Sequence, residues 1–318
     1  MATTGYCRSL VRVNSRQTAT AVIKCLVVRP RFADLKDTVG GVLDDSGIFL
    51  GDGVGTVVQI AREGQDAPDG NGVVSGFGSN IELNDSGQAS FLSRVTETNG
   101  LMQSAIFVGD VSTGVVQIAR TGRAAPQSDG IFWALSPPQL NEMGQVAFYG
   151  EIAVATGEYI ESEGIFLSDA NGNVLKLATT GVAAPDDNGL LASFGNPVLN
   201  DAGQVAFTAS LFDTAGGIRD SFGLFMYDQT LGIIQVARVG DALLGSSITE
   251  LSFNSFNDFY FVDPSAGRSG LNQFGQVAYS FRLADGREGV AVWAIPEPRF
   301  LVMVPVIFLV VASRRRCE

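Results

Sequence analysis

Three short patterns recur along this chain in one order and at one period, and that recurrence restricts the fold more than any other feature. Asn-x-x-Gly-x-x-Ala-Phe opens at Asn84, Asn141, Asn200 and Asn272, at spacings of 57, 59 and 72 residues. Its glycines are Gly87, Gly144, Gly203 and Gly275; Ser90 replaces the first alanine and Tyr279 the last phenylalanine. An apolar run ending in alanine comes at 57–61, 115–119, 174–178 and 233–237, followed by Arg62, Arg120, Thr179 and Arg238. A Gly/Ala-Ile/Leu-Phe element comes at 47–50, 105–108, 164–167 and 223–226, with a degenerate fifth copy at 289–292. A repeat too small to bury its own apolar face stacks on its neighbours. The chain is therefore a series of like units.

Each element reads as a short strand. The runs are rich in Val, Ile and Phe and are bounded by Gly, Asp, Asn and Pro. A fourth strand precedes each Asn motif, as at 190–199. No long stretch of the body has a 3.6-residue period. The Asn-x-x-Gly element reads as a hairpin turn, with Asn bonding the backbone and Gly supplying positive φ. The expected fold is all-β: four-stranded units of about 58 residues forming a propeller-like array of four or five blades. An open stack of β units is the alternative. Counted from the strand before each Gly-Ile-Phe element, units begin near residues 32, 88, 145 and 204. Residues 276–295 then supply only two strands of a fifth, which a strand at 21–28 could complete.

These residues resemble the NxxGxxAF tandem repeat of bacterial surface proteins, which carry one of several interchangeable C-terminal anchors. The resemblance covers most of residues 32–295. It implies surface display and supplies no reaction.

The C-terminus reads separately. Residues 300–312 form an uncharged run. As a helix it would reach about 20 Å, short of the ~30 Å hydrocarbon core. Arg314, Arg315 and Arg316 follow it, and Pro296, Glu297 and Pro298 precede it. The arginines place the extreme C-terminus on the cytoplasmic side and the body across the membrane. The tail at 296–318 resembles the PEP-CTERM sorting signal: a Pro-Glu-Pro motif, a short apolar helix and an arginine cluster. That resemblance implies an exosortase-type processing enzyme as partner and transient inner-membrane anchoring by the C-terminal helix. Release to, or retention at, the cell surface would follow. Residues 1–31 hold six basic side chains and no acid. They read as a basic leader, either a weak signal peptide or a misplaced start, because Lys24 interrupts the apolar run. Cys7, Cys25 and Cys317 all lie outside the body, so no disulfide framework spans it.

Composition excludes several chemistries. The chain has no histidine, which removes Ser-His-Asp triads, Cys-His dyads and His-ligated zinc. Residues 32–295 hold 11 basic and 31 acidic side chains, a net of −20 that repels phosphate backbones, so nucleic acid is not an expected partner. Two sets of residues remain as candidate sites. Arg62, Arg120 and Arg238 share one repeat position and would line a ring able to bind an anionic glycan, or would pair with acids such as Asp66 or Asp241. Asp169, Asn171 and Asn173 alternate like a calcium loop but lack its distal Glu, and a hairpin turn explains them as well. No other cofactor is expected. The resulting expectation is a non-catalytic, exported repeat protein, structural or adhesive in an extracellular polysaccharide or biofilm matrix. The alternative is a propeller-type glycan-active enzyme using Asp/Glu carboxylates.

Overall fold

The computed structural model describes residues 46–51, 57–156, 159–253, 270–295 and 308–310. Pro296, Glu297, Pro298, Arg314, Arg315, Arg316 and the leader at 1–31 lie outside the described residues. Within them the chain is all-β apart from one 3-10 turn at Gly217–Arg219. No helix among the described residues is long and apolar enough to cross a membrane.

Five antiparallel sheets follow one another. The first has β1 (Gly47–Gly51) and β2 (Val57–Arg62). The second is a four-stranded meander of β3 (Val73–Leu83), β4 (Ala89–Thr96), β5 (Met102–Asp110) and β6 (Gly114–Arg120). In the third, the first edge strand is split into β7 (Ile131–Leu135) and β8 (Gln139–Leu140), followed by β9 (Val146–Ala153), β10 (Ile160–Ser168) and β11 (Val174–Thr179). The fourth repeats this plan with β12 (Leu190–Phe194), β13 (Val198–Leu199), β14 (Val205–Phe212), β15 (Phe222–Asp228) and β16 (Gly232–Arg238). The fifth contains β17 (Ala242–Leu243), β18 (Ser246–Ser252), β19 (Gln276–Leu283), β20 (Glu288–Ala294) and β21 (Phe308–Val310). Successive four-stranded meanders, each a blade, make the architecture β-propeller-like.

The blades begin one strand earlier than the repeat count suggested. The strand before each Asn motif pairs with the strand after it, because a tight turn joins them as a hairpin. The longer loop after each Arg or Thr instead crosses to the next blade.

The core lies between blades. One cluster joins Ile48 and Ile60 of the first blade to Phe91 and Phe107 of the second. Others join the second to the third, the third to the fourth and the fourth to the fifth. β9, packed against blades on both sides, is buried on both faces, which is why it reads as the near-continuous apolar run Val-Ala-Phe-Tyr. The Phe of each Asn motif lies opposite the Phe of its Gly/Ala-Ile/Leu-Phe partner: Phe91 with Phe107, Phe148 with Phe166, Phe207 with Phe225. Their ring centroids are 5.7, 5.3 and 6.0 Å apart.

The expectation of a short apolar helix in the tail is corrected where the tail is described. Residues 308–310 form strand β21, antiparallel to β20, with Val310 opposite Val290 and Phe308 opposite Val292. A Val- and Ile-rich segment suits a strand, and the edge of β20 offers unpaired backbone groups for it to satisfy.

Candidate functional site

The Asn motif forms a lock between blades as well as a turn. Within each repeat the Asn Oδ1 accepts the backbone N–H of the Gln four residues on, at 2.9, 2.8, 2.9 and 3.0 Å from Asn84 to Asn272. Its Nδ2 donates to that Gln's Oε1 at 2.7–2.8 Å. The same Nδ2 reaches the next blade: Asn84 donates to the Asn141 carbonyl at 3.1 Å, Asn141 to Asn200 at 3.0 Å and Asn200 to Asn272 at 2.9 Å. The following residue reinforces each step. The Asp85 N–H donates to Glu142, the Glu142 N–H to Asp201 and the Asp201 N–H to Gln273. The result is a hydrogen-bonded spine through four consecutive blades.

Glycine is needed in this spine for two reasons. Gly144, Gly203 and Gly275 have φ of 74°, 75° and 73°. A Cβ on them would meet the Oε1 of Gln88, Gln145 and Gln204 from the preceding repeat at 2.8, 2.9 and 2.7 Å. The sequence reading gave the Asn and Gly a turn role. It missed the Gln at the fifth position and the acid or Gln at the second, although both recur in every copy.

Arg120 and Arg238 do not line a ligand ring. Arg120 and Arg238 are each about 1% exposed and turn back into their own blade. The Nη1 of Arg120 donates to both Asp69 oxygens at 3.0 and 3.1 Å, its Nη2 donates to the Asn71 carbonyl, and Glu97 lies 3.1 Å away. Arg238 repeats the pattern with Asp186 at 3.2 and 2.9 Å and the carbonyls of Asn188 and Asp220. Each guanidinium thus clamps the loop that enters its blade to the turn between the two middle strands. Asp69 and Asp186 are the carboxylate partners of Arg120 and Arg238. Asp241 accepts the Arg238 backbone N–H at 2.8 Å and makes no direct ion pair with the guanidinium among the described residues. Thr179 stands at this position in the third blade, and its hydroxyl donates to the Glu163 carbonyl instead. Arg62 ends β2, and its backbone N–H donates to Gln65 Oε1 at 3.2 Å.

The calcium-like segment is a turn. Asp169 Oδ1 accepts the N–H groups of Asn171 and Asn173 at 2.9 and 2.8 Å, and Oδ2 accepts Asn173 Nδ2 at 2.8 Å. The Asn173 side-chain bond, ahead of the others, holds the Asp169 carboxyl below the usual range. Asp110 and Asp228 fold the same turn in the neighbouring blades. Burial opposes ionisation of Asp110, but bonds from Ser112 and Thr113 hold it at about 2. Among the described residues no three acidic or sulfur side chains converge as a metal cluster.

One cluster stands apart from the repeat logic. Glu151 of β9 and Glu163 of β10 are directly opposite each other on adjacent strands. Tyr149 donates to Glu151 Oε1 at 3.2 Å, and the Phe194 N–H of the next blade donates to Glu163 Oε2 at 3.4 Å. Burial, with the Glu151 charge adding to it, raises Glu163 above the usual range. Burial raises the Tyr149 phenol as well. The equivalent position of the fifth blade holds a matched pair, Arg282 opposite Glu288.

Comparison with known proteins gives a family and a loose structural likeness. A family model described as a family of unknown function (DUF7453) matches residues 32–302. No curated protein matches the chain. Six chains of solved structures match, among them an alpha-L-arabinanase from Penicillium chrysogenum complexed with arabinobiose. That match has 12% identity and a TM-score of 0.30, over 73% of this chain and 66% of the other, just under two thirds of its length.

Proposed function

The chain belongs to the DUF7453 family, whose function is unknown, and we propose that it is an exported, surface-associated, non-catalytic repeat protein with a structural or adhesive role in an extracellular polysaccharide matrix. One observation carries this reading. The polar side chains repeated through the body join blade to blade or loop to blade, so they are spent on holding the array together rather than on a reaction. The sorting-like tail and the acidic body supply the setting, and an exosortase-type enzyme would process the tail.

The test is co-sedimentation of the purified chain with polysaccharide extracted from the producing cells, with reducing ends assayed in the same tube. Saturable binding without release of reducing ends supports the reading. Absence of binding, or turnover, contradicts it.

A second reading, a glycan-active enzyme, rests on the Glu151–Glu163 pair. Two neighbouring carboxylates, one of them raised by burial, are the equipment of acid/base hydrolysis. It requires release of reducing ends by the native chain and its loss in both Glu151→Gln and Glu163→Gln.

A further inference from the structure

The strand ahead of the Asn motif in blades two to five carries a β-bulge at the same repeat position. The pairing skips Ser75 in β3, Trp133 in β7, one residue of the Ala192 and Ser193 step in β12, and Thr249 in β18. Three blades place small residues there. The third places a tryptophan, half-exposed at 51%. A bulge re-aims the side chain it carries. Burying that indole in a blade interface would be the ordinary use of so large an apolar group. The buried neighbour Phe132 fills that role, at the position of Val74, Leu191 and Ile248.

Trp133 lines a cleft between the second and third blades with a volume of about 420 Å³, within the usual range for small-molecule sites. Across it stand Met102, 71% exposed, and Gln103, Ser104 and Thr121. The Thr121 hydroxyl donates to Gln103 Oε1 and accepts the Ser104 N–H, which fixes the carboxamide with its oxygen already engaged. Gly122 supports this closely: a Cβ there would meet Gln103 Nε2 at 3.0 Å. The cleft therefore offers an indole face, a thioether, a carboxamide N–H₂ and a serine hydroxyl. No ionisable side chain lines it.

We propose that this cleft binds a neutral saccharide segment, with Trp133 stacking on the C–H face of a sugar ring and Gln103 and Ser104 bonding its hydroxyls. Sugar rings present apolar C–H faces and polar edges together, and the cleft presents the matching pair of surfaces. A neutral ligand is specified because the lining is uncharged and the surrounding body carries a net −20, which repels uronates. This assignment rests on the matrix reading above and names the site through which it acts.

The experiment uses the full chain and its own fluorescence. The other tryptophan, Trp293, is buried at 6% exposure, so iodide quenching reports on Trp133. Neutral gluco-, galacto-, manno- and xylo-tetraoses are titrated, with a tetragalacturonate as the charged control. At least one neutral tetraose should protect Trp133 from iodide. Trp133→Ala should weaken that tetraose, followed calorimetrically, and the extracted polysaccharide at least tenfold, with Trp133→Phe intermediate and melting temperatures near wild type. Equal polysaccharide binding by wild type and Trp133→Ala overturns the cleft assignment and leaves the matrix reading standing. Protection by the galacturonate alone, or by none of the tetraoses, overturns it too. Wild-type chain that ignores the extracted polysaccharide removes the matrix reading itself.

Discussion

Arg120 and Glu163 show what single residues decide in this molecule. Arg120 is buried against Asp69, Glu97 and the Asn71 carbonyl. Arg120→Ala removes one of the two guanidiniums that meet Glu97, leaving Arg123 at 3.1 Å, and strands the Asn71 carbonyl. Because Arg123 still compensates both carboxylates, the cost is that of stranding a buried polar group, about 1–3 kcal/mol, and urea denaturation should show a loss of that order. Glu163 acts in the opposite sense. Its carboxyl is raised in the folded state, chiefly by burial. The folded chain thus holds that proton more tightly than the unfolded chain does. The associated stability is present below the ordinary Glu range and is lost as pH rises through the raised value. Glu163→Gln should therefore remove part of the fall in melting temperature between pH 4 and pH 7. An unchanged pH profile would contradict this. The repeat position of the arginines was legible in the sequence. Their inward direction was not, because their partners lie 51 and 52 residues earlier, in loops that only the folded blade brings close.

At the scale of the element, the Asn turn and the bulge in the strand ahead of it set the design. The turn was readable because Asn and Gly recur at fixed offsets. Its inter-blade bond was not, since the acceptor is a backbone carbonyl 57, 59 or 72 residues away and leaves no side-chain signature. The two roles can be separated by experiment. Asn141 is buried and bonds the next blade, whereas the Asn272 side chain is exposed and bonds within its own turn. Asn141→Ala should cost about 1–3 kcal/mol, the penalty for stranding buried partners. Asn272→Ala should cost clearly less, and equal costs in chemical denaturation would mean the spine is incidental. The bulge was invisible to periodicity because one extra residue shifts the register without changing composition. At residues 308–310 a strand stands where a helix was expected, for a related reason. An apolar run of about a dozen residues fits helix and strand alike, and the open edge of β20 decides for β at residues 308–310.

The whole molecule joins two halves of different legibility. The repeated blades, their all-β character and their propeller-like arrangement followed from period and turn chemistry. The phase of the blades depended on which connection was tight enough to be a hairpin. The sorting reading comes from Pro296, Glu297 and Pro298 with Arg314, Arg315 and Arg316. It gives the blade array its proposed place outside the cell. The most direct measurement is the intact mass of the native protein, taken separately from membrane and extracellular fractions. Sorting to the surface predicts an extracellular species ending near residues 296–298. A full-length species confined to the inner membrane would contradict it.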